Sequence, residues 1–285
     1  MSDTGTAITV SGLRKRYGDY EVVRGIDITV ARGEVFGLLG PNGAGKTTTV
    51  EILEGYRERT SGEVSVLGRD PAQRSIDLRR RIGIVLQSGG IYSHITPREA
   101  LAHWASLYPH PRDVQEVLDV AGLQEKADVR TRKLSGGQLR RLDFALALIG
   151  DPELIFLDEP TTGFDPEARH AAWETIRSLR DLGKTILLTT HYLEEAQALA
   201  DRVAIVKDGR VLAIGPPQEL GVGGASYRVA YREGDGELVE TETDDPTSLL
   251  NEVTGRALAR GERLSEISVG RPTLEDVYLE LTADV

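Results

Sequence analysis

Residues Gly40-Pro41-Asn42-Gly43-Ala44-Gly45-Lys46-Thr47 are spaced as G-x-x-x-x-G-K-T. Glycines at these places let the backbone wrap tightly, so that successive N–H groups converge on phosphate oxygens. A helix beginning at the end of the loop adds the positive end of its dipole. Lys46 is placed to reach the β- and γ-phosphates of a nucleotide, and the Thr47 hydroxyl to bind Mg²⁺. Thr48 completes this candidate set. The context suits the chemistry. The apolar run Val35–Leu39 precedes the loop, and a helical pattern runs from Lys46 to about Leu53, with Gly55 as its stop.

A second chemical group lies about 110 residues on. Leu154-Ile155-Phe156-Leu157 is a short apolar strand that ends on Asp158-Glu159, between Pro152 and Pro160. A carboxylate at such a strand end can hold Mg²⁺, usually through water, and a second one can orient and deprotonate an attacking water. Alone, this pair reads as a solvated strand end. Beside the phosphate loop it reads as hydrolytic machinery. Between the two lies Leu134-Ser135-Gly136-Gly137-Gln138, ahead of a helical stretch. It repeats the phosphate-cradling device, with a hydroxyl and glycine N–H groups at a helix N-terminus.

The elements that must position these residues follow from hydrophobic period. The first 40 residues alternate apolar and polar positions and read as strands separated by turns. Residues 97–125, 137–149 and 166–182 read mainly as helices, Thr185–Thr190 as a buried strand, and Leu193–Val203 as a helix. Val203–Gly215 reads as a hairpin turning at Asp208-Gly209. Apolar strands alternating with helices predict an α/β fold, a parallel sheet covered on both faces. Two strands around Gly234–Gly236 predict another hairpin. Asp245-Pro246 starts a helix that Gly261 ends. A last helix from about Thr273 carries the stripe Leu274, Val277, Tyr278, Leu281.

Composition bounds the remaining classes. The 285 residues carry a formal charge of −11, and there is no cysteine. A disulfide framework, a cysteine zinc site, an iron–sulfur cluster and a cysteine nucleophile are therefore excluded. The negative balance argues against nucleic acid as a partner. No apolar run approaches the ~20 residues of a membrane span. The start, MSDTGTAITV, shows no basic and apolar signal segment, so the cytoplasm is the expected compartment. Residues 1–220 carry 28 basic and 31 acidic residues, whereas residues 221–285 carry 6 and 14. This shift places a domain boundary near Gly221–Gly224, giving domains 1–220 and 221–285.

In order, Tyr17, the phosphate loop, Gln87, Leu134–Gln138, Asp158-Glu159, Thr162-Gly163-Phe164-Asp165 and His191 resemble the nucleotide-binding subunit of an ABC (ATP-binding cassette) transporter, over residues 7–215. The resemblance implies a P-loop NTPase fold with a RecA-like parallel sheet core, an N-terminal antiparallel β subdomain and an inserted helical subdomain at about 88–150. A small α+β C-terminal domain follows. It implies ATP and Mg²⁺ as ligands, with Tyr17 stacking on adenine, Gln87 contacting Mg²⁺ or the water, Glu159 as base and His191 as the switch contacting γ-phosphate. Ser135, Gly136, Gly137 and Gln138 would close on ATP held by a second copy, giving a head-to-tail homodimer. Phe164 stands where the family usually has leucine, and is expected to adjust packing across the dimer. Asp143, on the helix after Gln138, is expected on an exposed face.

The segment Arg271–Thr282 resembles the terminal segment of exporters of the daunorubicin/doxorubicin-resistance type, in the ABC-2 group. It implies export of a drug-like or lipid-like compound through a separate ABC-2 type membrane permease. That permease would dock on the region after Gln87, at the cytoplasmic face of the membrane. Three alternatives stand beside this reading: an importer ATPase, a non-transport ATPase acting on nucleic acid or ribosomes, and a regulatory binding module.

Overall fold

The computed structural model describes residues 5–86, 90, 93–220, 227–234, 236–270 and 274–282. Alternation builds the first elements. In β1 (Thr6–Tyr17) and β2 (Tyr20–Ala31), residues Ile8, Val10, Leu13, Val23, Ile26, Ile28 and Val30 are buried, one face of each pleated strand. The chain continues through β3 (Val35–Leu39), α1 (Lys46–Leu53) and β4 (Ser61–Val66), then α2 (Ile76–Arg81) and β5 (Ile82–Val85). Helices α3 (Pro97–Ala105), α4 (Val114–Val120) and α5 (Gly136–Leu148) fall between β5 and β6 (Leu154–Asp158). Next come α6 (Pro166–Asp181), β7 (Thr185–Thr190), α7 (Leu193–Leu199), β8 (Arg202–Lys207) and β9 (Arg210–Gly215).

Strands β2, β1 and β4 form an antiparallel sheet in that order. The other six form a sheet ordered β5-β6-β7-β3-β8-β9, with parallel pairing from β5 through β8. Both of its faces are covered, which is why its central strands read as continuous apolar runs. Leu154 and Phe156 enter a core with Phe36, Leu38, Val50 and Leu53. Ile155 and Leu157 enter the opposite core with Leu142, Phe144, Trp173 and Ile176. Parallel strands deliver their C-terminal ends to one edge, and β3, β6 and β7 are neighbours there. Asp208 and Gly209, at φ 50° and 75°, make the two-residue turn between β8 and β9. The Gly209 N–H donates to Ala44 O at 3.1 Å, which ties this turn to the phosphate loop.

The chain divides into two compact units, Met1–Ile214 and Gly215–Val285. The expected boundary, residues 221–224, lies outside the described residues. The second unit holds α8 (Pro217–Leu220), β10 (Tyr227–Glu233), β11 (Leu238–Thr243), α9 (Pro246–Ala259), β12 (Leu264–Gly270) and α10 (Leu274–Thr282). Its antiparallel sheet, ordered β11-β10-β12, packs Val229 and Tyr231 against Val253, Leu249 and Leu250 of α9. Asp245 caps α9 by accepting from Ser248 N–H. Leu274 of α10 is buried, and Arg228 of β10 donates to Asp276 at 2.7 Å. Among the described residues no helix is long and apolar enough to cross a membrane.

Candidate functional site

From Leu39 the chain turns through Gly40–Gly45 into α1. A Cβ at Gly40 would lie 2.1 Å from Val206 O, and one at Gly45, at φ 96°, would lie 2.9 Å from Val22 O. A side chain at either place would push β8 or β2 away, so glycine is required there. Lys46 opens α1 and is 4% exposed. Its Nζ donates to Gly40 O at 2.8 Å and Pro41 O at 3.1 Å, and lies 3.6 Å from Glu159 Oε1. Burial pulls the Lys46 pKa below its ordinary value, against Glu159 and Asp158, which pull it up. A cation removed from water in this way favours an added anion.

Asp158 ends β6 and is buried. Its Oδ1 accepts from Thr189 Oγ1 at 2.6 Å and from Thr47 Oγ1 at 3.3 Å. Hydroxyl and carboxylate oxygens at the rim of a phosphate loop fit Mg²⁺, a hard cation that takes one or two carboxylates and completes its shell with substrate phosphates and water. No cluster of three metal-binding His, Cys, Asp or Glu side chains occurs among the described residues. The donor set therefore fits a cation shared with substrate rather than one caged by protein.

Glu159 follows at φ 44°, in the left-handed region. A side-chain-bearing residue held there stores strain of the kind that gathers at functional sites. Its N–H donates to Thr189 Oγ1 at 2.9 Å, and its Oε2 accepts from Thr162 Oγ1 at 3.1 Å. His191, just past β7, brings Nδ1 to 3.4 Å from Glu159 Oε1. That nitrogen is buried and makes no hydrogen bond. Gly40 N–H donates to Thr190 O at 3.2 Å, so the loop and the histidine strand end are joined. Lys46, Thr47, Asp158, Glu159 and His191 thus meet at one sheet edge.

Tyr17 stands at the end of β1, 41% exposed, with Lys15 Nζ 4.9 Å and the Arg57 guanidinium 5.4 Å from its ring centre. Ser135 caps α5. Its Oγ accepts from Gln138 N–H at 3.2 Å, and Gln138 Oε1 accepts from Ser135 N–H at 3.0 Å, a capping box. Gly136 and Glu159 line one small cavity together with Thr162 and Phe164. Phe164 also packs on the core beneath α5 and α6 of its own chain. Gln87 lies outside the described residues.

Sequence reading missed Thr189, which bridges Asp158 and the Glu159 N–H from the next strand. Its one signal is a polar pair, Thr189-Thr190, closing an otherwise apolar strand. It also missed Glu195, 1% exposed, whose Oε1 accepts from Thr161 Oγ1 at 2.7 Å and Trp173 Nε1 at 3.1 Å. Asp143 corrects an expectation. Its side chain is 17% exposed and lies 3.6 Å from Arg140, because this face of α5 turns inward. Burial raises its pKa against the pull of Arg140.

A family described as ABC transporter matches residues 23–162. Nod factor export ATP-binding protein I of Rhizobium sp. (strain N33) is 42% identical over 300 residues, covering 97% of each chain. Daunorubicin resistance ATP-binding protein DrrA3 of Streptomyces coeruleorubidus is 38% identical over 310 residues, covering 100% of this chain and 98% of that one. A solved ATP-binding subunit of an ABC transporter superposes with TM-score 0.69 at 25% identity, covering 97% of this chain and 100% of its own. The dimeric structure of a post-hydrolysis state of an ATP-binding cassette, bound to ADP and Pi, gives TM-score 0.64 at 25% identity, covering 73% and 98%. Family and fold agree with the arrangement of loop, carboxylates and sheet edge: the chain belongs to the ABC transporter family, as an ATP-binding and ATP-hydrolysing subunit.

Proposed function

We propose that the chain binds ATP on Gly40–Thr48 with Tyr17 against the adenine, hydrolyses it as a head-to-tail homodimer, and powers export through a separate ABC-2 type permease at the cytoplasmic face of the membrane. The observation that carries the hydrolytic part is the convergence of Lys46 and His191 on one oxygen of Glu159, beside the Thr47–Asp158 pair. Lys46 turns from the carbonyls of Gly40 and Pro41 to the β- and γ-phosphates. Glu159 takes the proton of the water that attacks the γ-phosphorus, and the bond to the bridging oxygen of ADP breaks. His191 Nδ1 steadies the same carboxylate and the departing phosphate. Thr47 and Asp158 would hold Mg²⁺, with Gln87 as a third contact, and the cation supplies charge neutralisation when bound.

Ser135, Gly136, Gly137 and Gln138 act on the second copy. Two facts favour this. The chain has one phosphate loop and two cradles, and a related cassette forms a dimer with ADP and Pi. The Ser135 oxygen accepts a hydrogen bond while its O–H can donate to a γ-phosphate oxygen.

Export of a drug-like or lipid-like compound is supported by relatives whose names are those of Nod factor export and daunorubicin resistance proteins. A groove of about 620 Å³ lined by Glu54, Tyr56, Ile84, Trp104, Tyr108 and Leu146 offers the permease a seat. The test is inside-out membrane vesicles carrying this chain and a six-span permease. ATP-dependent accumulation of labelled daunorubicin, lost in Glu159→Gln, is the expected result. ATP hydrolysis with no accumulation of any amphipathic probe would overturn the export reading.

A further inference from the structure

Arg140 is a buried cation for which the hydrolytic scheme has no task. It lies five residues past Ser135 on α5 and is 6% exposed. Its Nε donates to Pro160 O at 2.9 Å, and its Nη1 donates to Leu86 O. The same Nη1 lies 3.6 Å from Asp143 Oδ2. Nη2 is buried and makes no hydrogen bond. Removing a guanidinium from water is costly unless its donors are satisfied, and here two of them go to backbone carbonyls rather than to a carboxylate. Pro160 directly follows Glu159, and Leu86 directly follows β5.

The placement answers a mechanical need. Glu159 sits at φ 44°, and a residue in that region persists only where its surroundings over-determine it. On its N-terminal side, Thr189 Oγ1 accepts the Glu159 N–H. On its C-terminal side, Thr162 N–H donates to Glu159 O at 3.3 Å, and one peptide further on Arg140 holds Pro160 O. We propose that Arg140, kept in place by Asp143, is a positioning residue that fixes the Glu159 backbone and couples it to the end of β5 and to the helix that Ser135 opens. Asp143 lines both the groove beside Trp104 and the cavity beside Glu159. The proposal rests on Glu159 being the base.

The test uses the full chain carrying Arg140→Met, Arg140→Lys, Asp143→Asn or Glu159→Gln, with kcat, KM for ATP and melting temperature measured for each. Arg140→Met is expected to lower kcat by about 10–100-fold while KM stays within about twofold, because misplacing a base costs chemistry rather than binding. Arg140→Lys keeps the charge but offers one nitrogen to two carbonyls, so it recovers part of that loss. Asp143→Asn gives a smaller fall in kcat, again at unchanged KM. If Arg140→Met does not fold, the other two decide. Wild-type kcat in the folded Arg140→Lys and Asp143→Asn proteins, or kcat and KM failing together, overturns the proposal. Turnover in Glu159→Gln would instead remove the base reading beneath it, which separates the two failures.

Discussion

The Lys46 ammonium lies 3.6 Å from Glu159 Oε1. The carboxylate proposed to accept the water's proton is therefore also a counter-charge for the lysine proposed to hold the phosphates. Glu159→Gln keeps the size of the side chain and removes both roles at once. ATP should bind at least as tightly, since the lysine loses a competitor for the phosphate. Hydrolysis should fall by about 10²–10⁴-fold, the usual contribution of a general base. Binding of a fluorescent ATP analogue and release of inorganic phosphate measure the two separately. Persistent turnover would mean that another group serves as base.

Ser135 does two jobs in the proposed scheme, and they can be pulled apart. Within its own chain it caps α5 through the Gln138 N–H, and loss of such a cap costs about 1 kcal/mol. Ser135→Asn keeps a capping oxygen and Ser135→Arg does not. If the segment also closes on ATP of a second copy, Ser135→Arg abolishes hydrolysis while the isolated subunit still binds ATP. Titration of the variant into an active-site Glu159→Gln partner reports whether mixed dimers form. Normal turnover in Ser135→Arg would sink the two-copy site.

The legible part of this protein is the part whose spacing is fixed by phosphate geometry or by burial on both faces. The phosphate loop, Asp158-Glu159 and the central strands are of that kind, because a one-residue change would break them. Strand β12 escaped sequence reading. Six of its seven residues are exposed, so no apolar alternation marks it. Strand β4 opens on Ser61-Gly62, which reads as a turn. Asp143 was misread, and Arg140 passed over, for a related reason. Charges three apart on a helix pattern as a solvated face, and nothing in the period reveals that α5 is packed on a side where the charges answer to backbone carbonyls. Thr189 was hidden because a hydroxyl that serves a neighbouring strand leaves no local pattern.

That threonine yields a direct test of how the metal-side carboxylate is held. Thr189 is fully buried, donates to Asp158 Oδ1 at 2.6 Å and accepts from Glu159 N–H at 2.9 Å. Thr189→Val preserves shape, takes the acceptor from Glu159 N–H and leaves Asp158 Oδ1 with only the longer bond from Thr47, a cost on the order of 1–3 kcal/mol. The variant should melt lower. It should also need more Mg²⁺ for half-maximal hydrolysis, because Asp158 is no longer oriented. A Mg²⁺ titration of ATPase rate, run below the melting temperature, checks this. An unchanged Mg²⁺ dependence would confine Thr189 to a structural role.

Glu54 follows α1 and lines the groove offered to the permease. Burial raises its pKa from 4.5 to about 8, with Asp158 and Glu51 adding repulsion. The folded chain therefore keeps the Glu54 proton up to about pH 8, while the unfolded chain releases it near 4.5. Between those values the folded state binds more protons, so stability falls as pH rises through the window and stays low above it. Glu54→Gln removes this slope without adding a charge. Parent and variant should melt together at the acid end. The variant's melting temperature should then exceed the parent's by a margin that widens until about pH 8 and levels off. Parallel melting curves across that range would show that Glu54 ionises as an ordinary carboxylate.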